Sequence, residues 1–193
     1  MTKKLLLSLI FVFTFSKLYS QTYQWNPLPN SPIPDSASQR FEDISFVNPN
    51  TGWIAMYSGI IYKTTNAGNN WTNVLTSSAF PFGKFRSLGF FNSQFGLLGT
   101  LNPVNPLSRA THGGRHWSAV GNIPNPIPYG ICGMSVVDSN TAYAVGRYAA
   151  PANVIKTTNK RASWTSTLMA QNLVRSLLDR YFWPADSGIV VGG

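Results

Sequence analysis

The sequence predicts an all-β protein, a β-propeller of four-stranded antiparallel blades that follow one another about every 46 residues. A turn returns three times, as KTTNAGNNW at 63–71, RATHGGRHW at 109–117 and KTTNKRASW at 156–164. Tryptophans recur 46, 46 and 47 residues apart, at Trp25, Trp71, Trp117 and Trp164. The 16 glycines, 13 prolines and 13% aromatic residues favour short strands and tight turns over long helices.

A second marker keeps the same period. The segments NPNTGWIAM, NSQFGLLGT, DSNTAYAVG and PADSGIVVG align on Gly52, Gly96, Ala142 and Gly188, which lie 44, 46 and 46 residues apart. Residues 40–76 show the content of one period: RFEDISFV, WIAMY, IIYKTT and WTNVLT each have the β-branched and aromatic residues of a short strand, with turn residues between them. Four short strands in 40–45 residues are typical of one propeller blade.

The repeat divides the chain into blades, and the ring is expected to be incomplete, with about three whole blades and part of another. The expected bounds are 40–76, 85–122, 131–169 and an incomplete 174–193. The stretch LVRSLLDRYF also has the apolar spacing of a short helix, but its place in the repeat favours a strand. Residues 22–28 are expected to be a stray closing strand, and the sequence is expected to be a fragment or a truncated product.

Residues 1–20 predict a signal peptide, so the propeller of residues 21–193 is expected to be exported. Two lysines precede an apolar run that is short for a bilayer of about 30 Å, and Ser20 suits cleavage before Gln21. An uncleaved membrane anchor is disfavoured because Lys17 and hydroxyl residues interrupt the run. The net charge of +9 falls to +6 without this segment. The other cations are scattered, which disfavours nucleic acid but leaves an acidic partner plausible.

The recurring turn predicts a structural device for a β-hairpin. Gly68 and Gly114 suit a left-handed backbone conformation. Side chains of the Asn66 type accept hydrogen bonds from turn amides, and hydroxyls of the Thr64 type close the same turn. The tryptophan is expected to pack between neighbouring blades. The predicted turn residues are Thr64, Asn66, Gly68 and Trp71; His112, Gly114 and Trp117; and Thr157, Asn159 and Trp164.

These turns resemble the Asp-box, or BNR repeat, of sialidase-like and sortilin-like propellers. The pattern Ser/Thr-x-Asp-x-Gly-x-x-Trp appears here with Asn or His in place of Asp, and Arg161 in the third copy replaces the glycine, so that turn is expected to be distorted. Residues 46–71, FVNPNTGWIAMYSGIIYKTTNAGNNW, are most similar to the repeat of the photosystem II assembly and stability factors. Exported bacterial proteins with no role in photosynthesis share that repeat.

The resemblance implies a noncatalytic binding platform or scaffold with a protein partner. A basic patch contributes to partner contact in photosynthetic members, and Arg40, Arg86 and Arg175 are candidates for it; arginines solvated at the blade rims are the alternative. A second hypothesis is a carbohydrate-active propeller, either a glycan binder or a sialidase-like or other glycosidase. Tyr57, Tyr129 and Tyr148 are candidates for stacking on sugars, although a role in blade packing is also open.

The acidic residues predict no catalytic pair. Glu42 and Asp43 are adjacent, so on a regular strand they are expected to face opposite ways, and Asp138 and Asp186 fall in or beside turns. His112 and His116 have the spacing of some metal sites, but they lie in a glycine-rich turn without a nearby Cys or carboxylate. The expectation is therefore no enzyme, no metal and no cofactor. The single cysteine, Cys132, is expected to be a small buried side chain.

Overall fold

The computed structural model describes residues 26–34, 39–76, 84–146, 152–169, 176–183 and 187–193. These residues form three four-stranded sheets and one two-stranded sheet. Blade 1 contains β1 (Phe41–Phe46), β2 (Gly52–Met56), β3 (Ile61–Thr64) and β4 (Thr72–Leu75). Blade 2 contains β5 (Phe85–Phe90), β6 (Gly96–Thr100), β7 (Leu107–Thr111) and β8 (His116–Ala119). Blade 3 contains β9 (Ile131–Val136), β10 (Ala142–Gly146), β11 (Asn153–Thr157) and β12 (Thr165–Leu168), and blade 4 contains β13 (Leu177–Trp183) and β14 (Ser187–Gly192).

The blades are arranged around their first strands. Within each sheet, consecutive strands pair antiparallel in sequence order. Between sheets, β1 lies beside β5, β5 beside β9 and β9 beside β13, so the first strands are innermost and the later strands lie further out. This arrangement confirms the predicted all-β fold of four-stranded propeller blades. Residues 177–183 form a strand rather than a helix.

The hydrophobic core lies between the sheets. Trp53 and Ile61 of blade 1 pack with Phe85 and Leu98 of blade 2 in one buried cluster. A second cluster joins blades 2 and 3, and a smaller one joins blades 3 and 4 around Leu177. Because a single sheet has no partner for its apolar faces, each blade depends on its neighbours for burial.

One type of turn recurs between the first and second strands of the three whole blades. Asn48 Oδ1 accepts hydrogen bonds from Asn50 N and Thr51 N, at 3.0 and 2.8 Å. Asn92 and Asp138 close the matching turns of blades 2 and 3 in the same way. The pKa of Asp138 is lowered, first by the Asn140 N–H bond. These turns place the first two strands of each blade in the same register.

Several sequence predictions fall on residues outside the described part. These are residues 1–20, Trp25, Tyr148, Arg175 and Asp186. Of the predicted closing strand at 22–28, residues 26–28 are described and are not in a strand. Within the described ranges, no helix is long and apolar enough to cross a membrane.

Candidate functional site

The first strand of every blade carries a β-bulge at its second residue. In blade 1, Phe41 pairs with Met56 and Asp43 pairs with Ala55, so the residue between them has no opposite partner. The same register shift occurs in the other three blades. The bulged residues are Glu42, Arg86, Cys132 and Leu178. A bulge bends a strand and redirects its side chains, and bulges are frequent beside functional sites.

The four bulged residues line one pocket of about 270 Å³ where the first strands meet. We call it the axial pocket; Asp43, Asp179 and Arg180 complete the described lining. The expectation that Glu42 and Asp43 face opposite ways is wrong, because the bulge interrupts the alternation of the strand. Both carboxyl groups reach the same pocket.

Glu42 is held between two guanidinium groups. Its Oε2 accepts a hydrogen bond from Arg86 Nη1 of blade 2 at 2.6 Å, and its Oε1 accepts one from Arg40 Nε. The Glu42 side chain is only 6% exposed, against 25% for Arg86 and 56% for Arg40. Hydrogen bonds between charged groups are short and strong, so this pairing fixes the position of the Glu42 side chain. It links blades 1 and 2 at the axis.

Asp43 links three blades. Its Oδ2 accepts a hydrogen bond from Leu88 N of blade 2 at 2.8 Å and lies 3.8 Å from Arg180 Nη2 of blade 4. Burial raises the pKa of Asp43, and the Leu88 N–H bond and Arg180 act in the opposite direction. Arg180 also contacts Asp179, 3.1 Å away and largely exposed. The axial pocket therefore contains a carboxyl group that binds its proton more readily than an ordinary aspartate.

The arginines named from the sequence have different surroundings. Arg86 lies in the axial pocket, with its Nε buried and without a hydrogen-bond partner among the described residues. Arg40 precedes β1 and places its guanidinium 4.1 Å from the centre of the Tyr57 ring. Arg175 lies outside the described residues. Sequence analysis missed Arg180, although the repeat places it where the other first strands have Ile44, Leu88 and Met134.

The predicted turn residues of blade 1 close their own hairpin. Thr64 Oγ1 accepts from Gly68 N at 2.9 Å and donates to Asn66 Oδ1 at 3.0 Å. The same Asn66 oxygen accepts from Asn70 N at 2.9 Å. Gly68 has φ of 84°, and Gly114 of blade 2 has φ of 89°. The side chains and the left-handed glycine together satisfy the polar groups of this turn.

The third turn keeps these bonds in spite of its arginine. Thr157 Oγ1 accepts from Arg161 N, and Asn159 Oδ1 accepts from Ser163 N, both at 2.9 Å. Arg161 adopts φ of 81°, so it occupies the glycine conformation and the expected distortion does not occur. Its Nη1 also donates to Ala110 O of blade 2 at 3.0 Å, which compensates for the unfavourable backbone conformation.

The tryptophans of the second and third turns lie at interfaces between blades, whereas Trp71 packs on Phe46 of its own blade. Trp71 packs edge-on against Phe46, and Trp117 packs in the same way against Phe90, with centroids 6.3 and 6.2 Å apart. Trp117 borders the core of blades 1 and 2, and Trp164 belongs to the core of blades 2 and 3. Trp71 and Trp117 thus have equivalent places relative to their own blades, although Trp117 Nε1 donates to Gly114 O at 2.7 Å and Trp71 Nε1 has no hydrogen-bond acceptor among the described residues.

The residues considered for sugar or metal binding are dispersed. Tyr57 is half-buried, and Tyr129 is 55% exposed. The rings of His112 and His116 are 5.0 Å apart, and among the described residues no group of three or more His, Cys, Asp or Glu is placed to hold a metal ion. The axial pocket, by contrast, joins charged side chains of blades 1, 2 and 4.

Comparison with known proteins supports the fold. No protein-family model and no curated protein matches the chain. YCF48 bound to a D1 peptide is similar over 78% of this chain and 45% of its own, with 20% identity and a TM-score of 0.53. An ancestral GH74 enzyme is similar over 82% of this chain and 21% of its own, with 19% identity and a TM-score of 0.57. The GH74 enzyme of Niastella koreensis is similar over 73% of this chain and 24% of its own, with 20% identity and a TM-score of 0.54. The chain thus spans less than half the length of each of these structures. At this low identity, the similarity supports the propeller fold alone.

Proposed function

We propose that this chain is an exported, noncatalytic propeller module that binds a protein partner, in the manner of the photosystem II assembly factors that its repeat resembles. The observation that carries the proposal is the axial pocket. In it, the bulged residue of each blade's first strand lies beside the side chains of Asp43, Asp179 and Arg180. A partner segment that enters there meets guanidinium and carboxylate groups held in place by three separate strands, β1, β5 and β13. Such preorganisation reduces the entropy cost of binding.

The pairing of Glu42 argues for binding rather than catalysis. A general acid or base must lie within hydrogen-bond reach of the substrate atom with which it exchanges a proton. Both carboxylate oxygens of Glu42 are paired, with Arg40 and Arg86, and its side chain is only 6% exposed, so the group is engaged within the fold. The similarity to YCF48, which was solved with a bound D1 peptide, agrees with a polypeptide ligand.

Selection of peptides tests the proposal. A library of random dodecapeptides displayed on phage is panned against the full chain, and enriched peptides are titrated by calorimetry. The paired variant Glu42→Gln/Arg86→Gln removes both charges and keeps a polar side chain at each position, while Arg109→Gln removes an exposed arginine on β7. We expect the paired variant to weaken binding about tenfold and Arg109→Gln to leave it unchanged. Failure to enrich any peptide, or equal binding by both variants, would contradict the proposal.

Export is part of the same proposal and rests on the sequence of residues 1–20. Expression of the full chain in a bacterial host, followed by mass spectrometry of the intact product, measures where the mature protein begins. An N-terminus at Gln21 in the exported fraction is the expected result. A product that keeps residues 1–20 and stays in the cytoplasm would count against export.

A carbohydrate-active propeller is the second candidate, because one observation favours it specifically. Asp43 and Asp179 line the same pocket, and burial raises the pKa of Asp43, as the acid of a glycosidase requires. A glycan array and a panel of chromogenic glycosides test this candidate. Turnover that disappears in both Asp43→Asn and Asp179→Asn would overturn the noncatalytic assignment.

A further inference from the structure

A second concave site lies between blades 1 and 2, away from the axial pocket. It is a half-open groove of about 540 Å³, which we call the interblade groove. Blade 1 contributes its β3–β4 hairpin. Blade 2 contributes the turn between β7 and β8, which contains His112 and Arg115, and the turn between β5 and β6, which contains Gln94. The lining residues are Lys63, Thr65, Asn66, Asn70, Thr72, Val74, Gln94, His112 and Arg115.

The interblade groove is cationic. Lys63 and Arg115 carry positive charge and His112 is titratable, whereas none of the described lining residues has a carboxylate. Lys63 Nζ lies 4.9 Å from the centre of the Trp53 ring and packs against Gly113, where an added Cβ would come within 2.6 Å of it. Burial lowers the pKa of Lys63, and the charge of Arg115 lowers it further. Two cations are therefore held near each other, and a bound anion would relieve their repulsion.

The groove is formed at the point where blade 2 departs from the repeat. The position of His112 is occupied in blades 1 and 3 by Asn66 and Asn159, whose side-chain oxygens cap their own turns. His112 Nδ1 instead lies 3.1 Å from the neighbouring Thr111 hydroxyl, and its ring lies 5.0 Å from that of His116. Arg115 likewise stands where blade 1 has Asn69. The basic side chains of the second turn are therefore not required to close it, and they face the groove.

We propose that the interblade groove binds an acidic peptide segment of the protein partner. This inference rests on the proposed function and adds a second contact region with a stated ligand chemistry. The cations suit side-chain carboxylates, and the amide groups of Asn70 and Gln94 can pair with the peptide backbone. The volume lies within the usual range for ligand sites, about 300–1,000 Å³, and is sufficient for a short segment.

Binding of a defined peptide to the full chain tests the inference. The probe is acetyl-tetraglutamate amide, and its tetraglutamine counterpart is the uncharged control; both are titrated by calorimetry at about 20 mM and about 200 mM salt. We expect only the acidic peptide to bind, with lower affinity at the higher salt concentration, because salt screens exposed charges.

The repeat supplies matched variants. His112→Asn and Arg115→Asn introduce the residues that blade 1 has at the same positions, so they are compatible with the turn. Lys160→Ala removes an exposed charge from the blade 3 turn and introduces the residue found at Ala67, which has a similar positive φ. Each groove variant is expected to weaken tetraglutamate binding about two- to fivefold and the double variant about tenfold, while Lys160→Ala has no effect.

Three results would overturn the inference: no binding of tetraglutamate at low salt, equal weakening by Lys160→Ala, or preference for a heparin hexasaccharide over the peptide at the same groove residues. The outcome is separable from that of the proposed function. If phage-selected peptides bind at the axial pocket and tetraglutamate does not bind, the groove assignment alone fails. If no peptide of any kind binds, the function itself fails.

Discussion

Replacing Trp53 by phenylalanine is expected to destabilise the protein by about 2 kcal/mol through the interface of blades 1 and 2. Trp53 is fully buried, its ring stacks on Phe90 of blade 2, and its Nε1 donates to Gly113 O at 2.9 Å. Phenylalanine retains most of the apolar contact and removes the donor. The buried Gly113 carbonyl then loses its hydrogen bond, at a cost of about 1–3 kcal/mol.

Trp53→Ala extends the same perturbation. It removes the ring as well as the donor, and large-to-small substitutions of this kind cost about 3–5 kcal/mol. The order of stability is therefore wild type, then Trp53→Phe, then Trp53→Ala. Val104→Ala is the matched control, because Val104 is 81% exposed and its truncation is expected to change stability by less than about 0.5 kcal/mol.

Urea unfolding followed by far-UV circular dichroism measures these differences as shifts in the midpoint, provided that the slope stays constant. If Trp53→Phe lowers the free energy of unfolding no more than Val104→Ala does, the buried hydrogen bond to Gly113 is refuted. A loss below about 1 kcal/mol in Trp53→Ala would refute the packing of blade 1 on blade 2.

Three further outcomes follow from single contacts. Thr64→Val is expected to cost about 1–2 kcal/mol in urea unfolding, because Gly68 N loses its buried acceptor; a cost below about 0.3 kcal/mol would contradict this. The folded-state pKa of Asp43 is raised, so its stabilising contribution is complete below the ordinary value of 3.8 and is lost as the pH rises through the folded-state pKa. Asp43→Asn should therefore gain stability relative to wild type as the pH rises above 3.8, and a relative loss would contradict the sign. The folded-state pKa of Asp138 is lowered, so its contribution is present above 3.8 and lost as the pH falls; Asp138→Asn should be less acid-sensitive than wild type, and unchanged acid sensitivity would count against the turn.

Much of the fold could be predicted because the repeat is carried by local signals. The second strands of blades 1, 2 and 3 begin at Gly52, Gly96 and Ala142. The turns after Thr64 and Thr157 are closed by equivalent hydrogen bonds to the threonine hydroxyl oxygen. Such turns depend on residues close together in the chain, so a single sequence contains the information needed to locate them. The strand at Leu177–Trp183 was assigned correctly from its repeat position, in spite of its helical apolar spacing.

The site was less predictable because it depends on register and on contacts between blades. No local signal marks Glu42 as a bulged residue, and a one-residue bulge was enough to bring Asp43 into the same pocket. The sequence alone predicts that Arg161 distorts its turn. The structure shows an undistorted turn, because Arg161 donates a hydrogen bond to Ala110 O of the neighbouring blade, a contact that has no local sequence signal. Arg180 could have been recognised as a departure from the apolar residues at its repeat position, although its proximity to Asp43 requires the arrangement of blades around the axis.

The central claim, that residues of separate blades meet at one axial pocket, is tested most directly by a double-mutant cycle between Glu42 and Arg86. Urea unfolding is measured for wild type, Glu42→Gln, Arg86→Gln and the double variant. We expect a coupling energy of about 1 kcal/mol, at the lower end of values for residues in contact because Arg86 is partly exposed. A parallel cycle of Glu42→Gln with Arg109→Gln should be additive. Additivity in the Glu42–Arg86 cycle as well would contradict the account, since it would mean that the two first strands do not bring these side chains together.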